Sequence, residues 1–329
     1  HLYKNYEMMI PMKISVMGLG ISGLYLYKRL KKSGFEVYAF DVKRPNYYIP
    51  CAYGTNFNLM KEYMSEIDLD FEGYVLHWAE NITFAGENGS IVDFRPSGLI
   101  TFDRNRLQYD LRKEIDIEKN SETDIIVDAT GVSRYYLGQA PDDVTYFTKE
   151  YLTDSQIHDD FYFFFLKNGS GYLWEFPLGS GLSHVGVGSI RHEDLAFIDA
   201  YRRLRITGRK IRMKPLFEEA VKGNIIGIGE AIGTVSPLTG EGIIPSIESA
   251  ELLYRSISKG GTLDEIEDRY VRSLKKNFSA YYALSEFVSR VQKGMLVNFS
   301  NIRYLPLISR DLRHFGIDFS LSKALKAII

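Results

Sequence analysis

Residues 13–41 constrain this chain more than any other stretch. An apolar run, KISVM at 13–17, leads directly into Gly18-Leu-Gly20-Ile21-Ser22-Gly23. A helical pattern over 24–32 follows, Ser33-Gly34 stops it, and a second apolar run at 36–40 ends on Asp41. Strand, GxGxxG, helix, strand and acid in that order predict a βαβ unit that binds a dinucleotide. Gly18 makes the tight turn, Gly20 lets the backbone approach a pyrophosphate, and Gly23 lets the helix pack against the strand. The helix N-terminus at Ile21 and Ser22 then faces the phosphates, and Asp41 can accept a ribose hydroxyl. A βα turn without a ligand can carry the same letters. FAD and NAD share the fingerprint, so the motif alone does not choose between them.

Two further segments belong to the same kind of domain. Residues 124–131, DIIVDATG, form an apolar strand ending in the small-residue turn Thr130-Gly131. Residues 224–228 are another strand, followed by IGEAIGTVSPLTGEGI at 228–243. Gly227, Gly229 and Gly233 imitate a second dinucleotide loop. The helical pattern, however, starts only after Gly242, where Ile243, Ile244, Ile247, Ala250, Leu253, Tyr254 and Ile257 recur at helical spacing and Pro245 suits a first turn. The loop 237–242 therefore delivers a helix N-terminus, with free N–H groups and a positive dipole end. Aimed at a flavin, it would stabilise the negative charge of the reduced ring.

Composition narrows the class. The chain has 329 residues, 45% of them hydrophobic, and a net charge of −2, so nothing in it resembles a nucleic-acid footprint. Cys51 stands alone, which excludes an internal disulfide and fits a cytoplasmic, reducing compartment. The six His lack metal-ligand spacing and read as structural, so no metal site is expected. No apolar run has the length of a membrane span. Residues 1–11 lack a signal-peptide apolar region, and Met12 is an alternative start. With 23 Tyr and 20 Phe, the chain needs a large core or an apolar cavity. FYFFFL at 161–166 and YLWEFP at 172–177 flank NGSG, a hairpin signal, and 184–190 is a third strand. Alternation puts Tyr172, Trp174 and Phe176 on one face, either packed on a helix or walling a site for a greasy substrate. Thr262-Leu-Asp-Glu265 reads as a capping box opening one long helix towards Gln292. The tail 298–329 is a candidate to close a tunnel, touch a membrane surface peripherally, or simply cap the fold.

GEAIGTVSPLTGEGI resembles the GDAAG…P…GEGI motif of the geranylgeranyl reductase family of FAD-dependent oxidoreductases, of the archaeal digeranylgeranylglycerophospholipid reductase type. YLWEFP resembles that family's YxWxFP, and Asp103-Arg104 with Asp110-Leu111 resembles its DRxxFDxxL helix start. Pro50-Cys51 falls where the family carries Pro-Cys-Gly, with Ala52 in place of the glycine. The resemblance implies FAD as cofactor, with Glu230 on the ribityl hydroxyls in place of the usual Asp. It implies Pro237, Gly240 and Gly242 beside the ring, Arg104, Thr130-Gly131, Gly229 and Ile243 in the cofactor site, and Cys51 as a catalytic candidate. It implies an isoprenoid lipid as substrate and reduction of its carbon–carbon double bonds. The electron donor is left open between NAD(P)H and a carrier protein. A flavin monooxygenase or halogenase, or an electron-transfer flavoprotein, are the alternatives. One departure is the short segment between 113 and 124, where relatives thread a strand and a β-meander; 115–118 is the candidate for the single strand. The expected fold is α/β, with an FAD-binding Rossmann-like (glutathione-reductase-type) domain over 12–60, 100–135 and 220–260. An interleaved antiparallel-sheet substrate domain takes 61–99 and 136–219, and a helical C-terminal region takes 261–329.

Overall fold

A computed structural model describes residues 12–43, 47–118, 122–295 and 299–319. The leader 1–11 and the end of the tail at 320–329, including the KALKAII run, lie outside the described residues.

The βαβ unit forms where the pattern predicts it. β1 (Lys13–Met17) passes through the glycine loop into α1 (Ile21–Lys32) and then β2 (Glu36–Phe40), parallel to β1. The chain next lays down β3 (Gly54–Asn56), α2 (Phe57–Ser65), β4 (Val75–Trp78), β5 (Ile82–Gly86), β6 (Ile91–Pro96), β7 (Leu99–Phe102) and α3 (Arg104–Arg112). β8 (Ile125–Asp128) returns parallel to β1 on its other side. There follow β9 (Thr145–Thr153), β10 (Phe161–Phe165), β11 (Gly171–Gly179), β12 (Leu182–Ser189) and β13 (Arg205–Arg212). β14 (Val221–Lys222) and β15 (Ile225–Gly227) rejoin the first sheet. The remainder is α4 (Ile243–Ser258), α5 (Leu263–Asn277), α6 (Ser279–Gln292), α7 (Leu305–Phe315) and β16 (Ile317–Asp318).

Three sheets result, in the orders β14-β15-β8-β1-β2, β13-β9-β12-β11-β10-β5-β6-β16 and β3-β7-β4. The first is parallel except at β14, because β1, β8 and β15 each connect through long crossovers. Its helices α1 and α4 pack together. Leu24 and Leu26 of α1 and Ile244, Ile247, Ala250 and Leu253 of α4 are fully buried there. Glu251 of α4 is buried too, and it is paid for locally by Tyr25 Oη at 2.8 Å and Arg29 Nε at 3.1 Å.

Two expectations change. The candidate strand at 115–118 is reduced to one parallel bridge, Ala39 with Ile117, because the segment leaves β2 after a single pairing. The long helix after Thr262 is two helices. Its capping box forms as predicted, but the chain breaks at Phe278 (φ −100°, ψ 24°). The Phe278 ring is buried and stacks on Phe217 at 5.1 Å, and the bend also brings Tyr281 against Phe217 at 6.3 Å. That tertiary contact overrides helix periodicity.

Candidate active site

The glycine loop is shaped by its neighbours at two positions and left open at a third. A Cβ on Gly18 (φ +98°) would lie 2.5 Å from the Ala129 carbonyl oxygen, and one on Gly23 would lie 2.0 Å from the Gly18 carbonyl oxygen. Both glycines are therefore demanded by the approach of the loop to the end of β8 and of α1 to the loop. A Cβ on Gly20 would meet nothing within 4 Å. That open space lies at the N-terminus of α1, which has neither a side-chain cap nor an acid in its first turn. Asp41 is fixed from three sides, accepting from Leu19 N–H (3.3 Å), Lys43 N–H (3.1 Å) and Arg112 Nη1 (3.0 Å).

The strand exits β8 and β15 bring up the next group. Thr130 Oγ1 donates to Asp128 Oδ1 at 2.6 Å and fixes the turn into Gly131. A Cβ on Gly229 would sit 2.7 Å from Ser22 Oγ, so this glycine lets the exit of β15 close on α1. Glu230 faces Gly131, and its carboxylate pairs with Arg209 of β13 and accepts from the Arg212 N–H at 3.0 Å. The extra methylene relative to Asp is used to reach β13. Arg104, which also donates to Gln108 Oε1 at 2.9 Å, and Arg209 both line the same cavity.

The loop 236–242 is a tight turn. Gly240 N–H donates to the Ser236 carbonyl at 3.0 Å, and Leu238 and Thr239 N–H donate to Ser236 Oγ. Ser236 in turn donates to Asp311 Oδ2 of α7 at 2.6 Å, and the Tyr172 hydroxyl donates to the Thr239 carbonyl. α4 starts at Ile243 as predicted, but its end is not free. Glu241 Oε1 accepts from both the Ile243 and Ile244 N–H at 2.9 Å. Two of the amides expected to face a ligand are thus occupied by the carboxylate preceding the helix, which satisfies orphan donors that burial would leave costly. Burial pushes the Glu241 carboxyl up to about 7 against the opposing charge of His314. Burial works against the charge of His314, but Glu248 at 2.8 Å, with Glu241 and Asp311 nearby, raises it to about 9.

The large sheet supplies the opposite wall. Tyr172, Trp174 and Phe176 share one face and line a cavity of about 1380 Å³, as alternation predicts. Phe163 and Phe84 extend the wall, with rings 5.0 Å apart. Gly186 of β12 lies beneath Trp174, where a Cβ would come 2.2 Å from indole Cζ2. Phe315 and Leu312 of α7 and Val291 of α6 close the far side. Pro50, Cys51, Pro237, Gly242 and Ile243 also line the cavity, so one space joins the 237–243 loop and the start of α1 to the aromatic wall. Cys51 is a half-buried free thiol whose Sγ accepts the Tyr53 N–H at 3.4 Å.

No family model matches the chain. The digeranylgeranylglycerophospholipid reductase of Methanothrix thermoacetophila is 28% identical over 201 aligned positions, covering 52% of this chain and 51% of that protein. A geranylgeranyl bacteriochlorophyll reductase-like protein of Thermoplasma acidophilum has the same fold, with TM-score 0.74, 16% identity and 96% of each chain covered. Over the aligned half, the chain is similar in sequence to the digeranylgeranylglycerophospholipid reductases. It spans about half the length of the curated reductase it matches. HpxO of Klebsiella pneumoniae, solved with FAD and uric acid, shares the fold at TM-score 0.61, 15% identity and 92% of each chain.

The reductase-type motifs converge in space. The open position at Gly20, the unblocked α1 N-terminus and the cations Arg104 and Arg209 fit a dinucleotide diphosphate. Sequence reading missed Arg112, Arg209, Glu150 and the Glu241–His314 group. Arg209 sits in an alternating basic run, RITGRKIR, that looks like a solvated strand face until the register is known. Among the described residues no helix is long and apolar enough to cross a membrane, and no three His, Cys, Asp or Glu side chains converge as metal ligands.

Proposed function

We propose that this chain is an FAD-dependent reductase that saturates carbon–carbon double bonds of isoprenoid chains of the geranylgeranyl type. The observation that carries the reading is the single aromatic cavity shared by the cofactor loops and the YxWxFP face. An isoprenoid is long, branched and apolar, and such a space removes it from water. Ile21, Arg104, Glu230, Pro237 and Gly242 would hold the cofactor, with Asp41 fixed behind the glycine loop. Reduced FAD, when bound, supplies a hydride equivalent. An isolated alkene is not polarised, so addition also needs a proton and develops positive charge at the more substituted carbon. Trp174, Tyr172 and Phe163 would face that charge, each aromatic face contributing about 0.5–2 kcal/mol. Exclusion of water by Phe315, Leu312 and Val291 prevents capture of the cation. Electrons come from NAD(P)H or from a carrier protein; the sequence carries no second complete dinucleotide loop. The test is anaerobic incubation of reduced holoprotein with several geranylgeranyl lipids, followed by mass spectrometry. A gain of two hydrogens per bond is expected. A competent flavin that leaves every lipid unchanged sinks the reading, and oxygen or halogen insertion in air would favour the monooxygenase or halogenase alternative.

A further inference from the structure

Glu150 lies midway along β9, inside the large sheet, where a carboxyl group needs a reason. The register sets Thr207, Glu150, Gly186, Trp174, Phe163 and Phe84 in one row across β13, β9, β12, β11, β10 and β5. Residues in one row share a face, and this face is the cavity wall. Glu150 is 3% exposed. Thr207 Oγ1 reaches its Oε1 at 3.5 Å. Its Oε2 makes no well-formed hydrogen bond among the described residues, and neither does Trp174 Nε1 beside it on the same wall. Gly186, lacking a side chain, is what lets the indole lie flat between Glu150 and Phe163. A buried acceptor and a buried donor that approach each other without forming a well-made hydrogen bond, both on one cavity wall, mark a place where a bound group is worked on rather than a finished structural network.

We propose that Glu150 is the proton donor to the substrate in this cavity, an assignment that rests on the reduction proposed above. The Glu150 O–H bond breaks as a C–H bond forms at one alkene carbon. A hydride from two-electron-reduced FAD forms the C–H bond at the other. The π bond is consumed, the flavin is left oxidised, and Glu150 is left as a carboxylate that regains its proton from solvent. The route outward is Thr207, on the edge strand β13. Burial pushes the Glu150 carboxyl up to about 8, against the Cys51 amide, the Thr207 hydroxyl, the Trp174 indole and the Arg104 charge. Tyr48 and Tyr53 are the other titratable groups that feel it, and both are themselves raised by burial. At neutral pH the group therefore carries a proton to give. Of the other groups on the wall, Glu241 also has an Oε2 without a partner among the described residues, but its Oε1 is committed to the start of α4 and it lies in the 236–242 loop, outside the row of Trp174 and Phe163; Cys51 Sγ accepts the Tyr53 N–H.

Two readouts test this. Difference infrared spectra of the holoprotein without substrate should show a protonated carboxyl at neutral pH that titrates above neutrality and is missing in Glu150→Gln. A Glu150 already ionised at pH 6 overturns the assignment. In anaerobic single turnover with a geranylgeranyl lipid, E150Q should slow alkene reduction about 100-fold, within the usual range for a general acid. Its FAD content and its reduction by dithionite should stay unchanged, and Glu150→Asp should retain intermediate activity. E150Q at wild-type speed overturns the proton donor alone. Wild-type protein that reduces no alkene overturns the function and with it this role, even if the carboxyl titrates as described. Should E150Q lose FAD, E150D and the wild-type titration decide.

Discussion

Gly186→Ala tests the architecture of the aromatic wall without touching an ionisable group. The added methyl would overlap the Trp174 ring, 2.2 Å from Cζ2 and 2.4 Å from Cε2. Trp174 is 8% exposed and packed in the core with Phe163 and Phe176, so the indole cannot swing away without displacing its neighbours. Overpacking of this kind costs about 1–3 kcal/mol. For a chain of this size that corresponds to a fall of roughly 1–2 °C in Tm per kcal/mol. The cost comes from one pair, so it should depend on the partner. In a Trp174→Leu background the clash is gone, and Ala replaces Gly inside a strand, worth about 0.5–1 kcal/mol in its favour. Thermal melts and urea titrations of the wild type, both single variants and the double variant close a double-mutant cycle. The expected coupling is at least about 1 kcal/mol. An equal cost of G186A in both backgrounds, or none in either, refutes the placement of the indole over β12.

Two further outcomes follow from the charged groups. Arg209→Met removes a cavity cation and the partner of Glu230, so FAD affinity measured by fluorescence titration of the apoprotein should fall about tenfold, or 1.4 kcal/mol; an unchanged Kd would mean Arg209 serves packing only. His314, raised from 6.5 to about 9 in the folded chain, contributes stability that is full below 6.5 and lost as pH rises through about 9. Glu241, raised from 4.5 to about 7, acts in the same direction at lower pH, its contribution lost between those values as pH rises. Melts across this range should show Tm falling with pH, and His314→Gln should flatten the upper part of the fall. A Tm that rises between 6.5 and 9 contradicts the His314–Glu248 pairing.

The parts of the fold that were legible in the sequence are those with local causes. The βαβ unit, the hairpin at Asn168, the capping box at Thr262 and the start of α4 after Gly242 each depend on residues a few positions apart, and each forms. The break at Phe278 was hidden because its cause, Phe217, is about sixty residues away in the chain and the helical pattern continues through it. The site divides in the same way. Gly20 and the Tyr172–Trp174–Phe176 face could be read from spacing. Glu150, Arg209 and Arg112 could not, because what makes them notable is register and pairing between distant elements. Glu241 lay inside the motif that was read, yet its capping of α4 depends on a side-chain direction that no spacing specifies.

The central claim is that the cavity holds an isoprenoid alkene where reducing equivalents can reach it. The most direct measurement mixes anaerobically reduced holoprotein with a geranylgeranyl lipid in a stopped-flow instrument and follows the return of oxidised flavin absorbance, with the fully saturated lipid as control. The account predicts reoxidation by the unsaturated lipid alone, in proportion to the hydrogens that mass spectrometry finds in the product. Reoxidation that waits for oxygen or a quinone, and is indifferent to the lipid's double bonds, would contradict it.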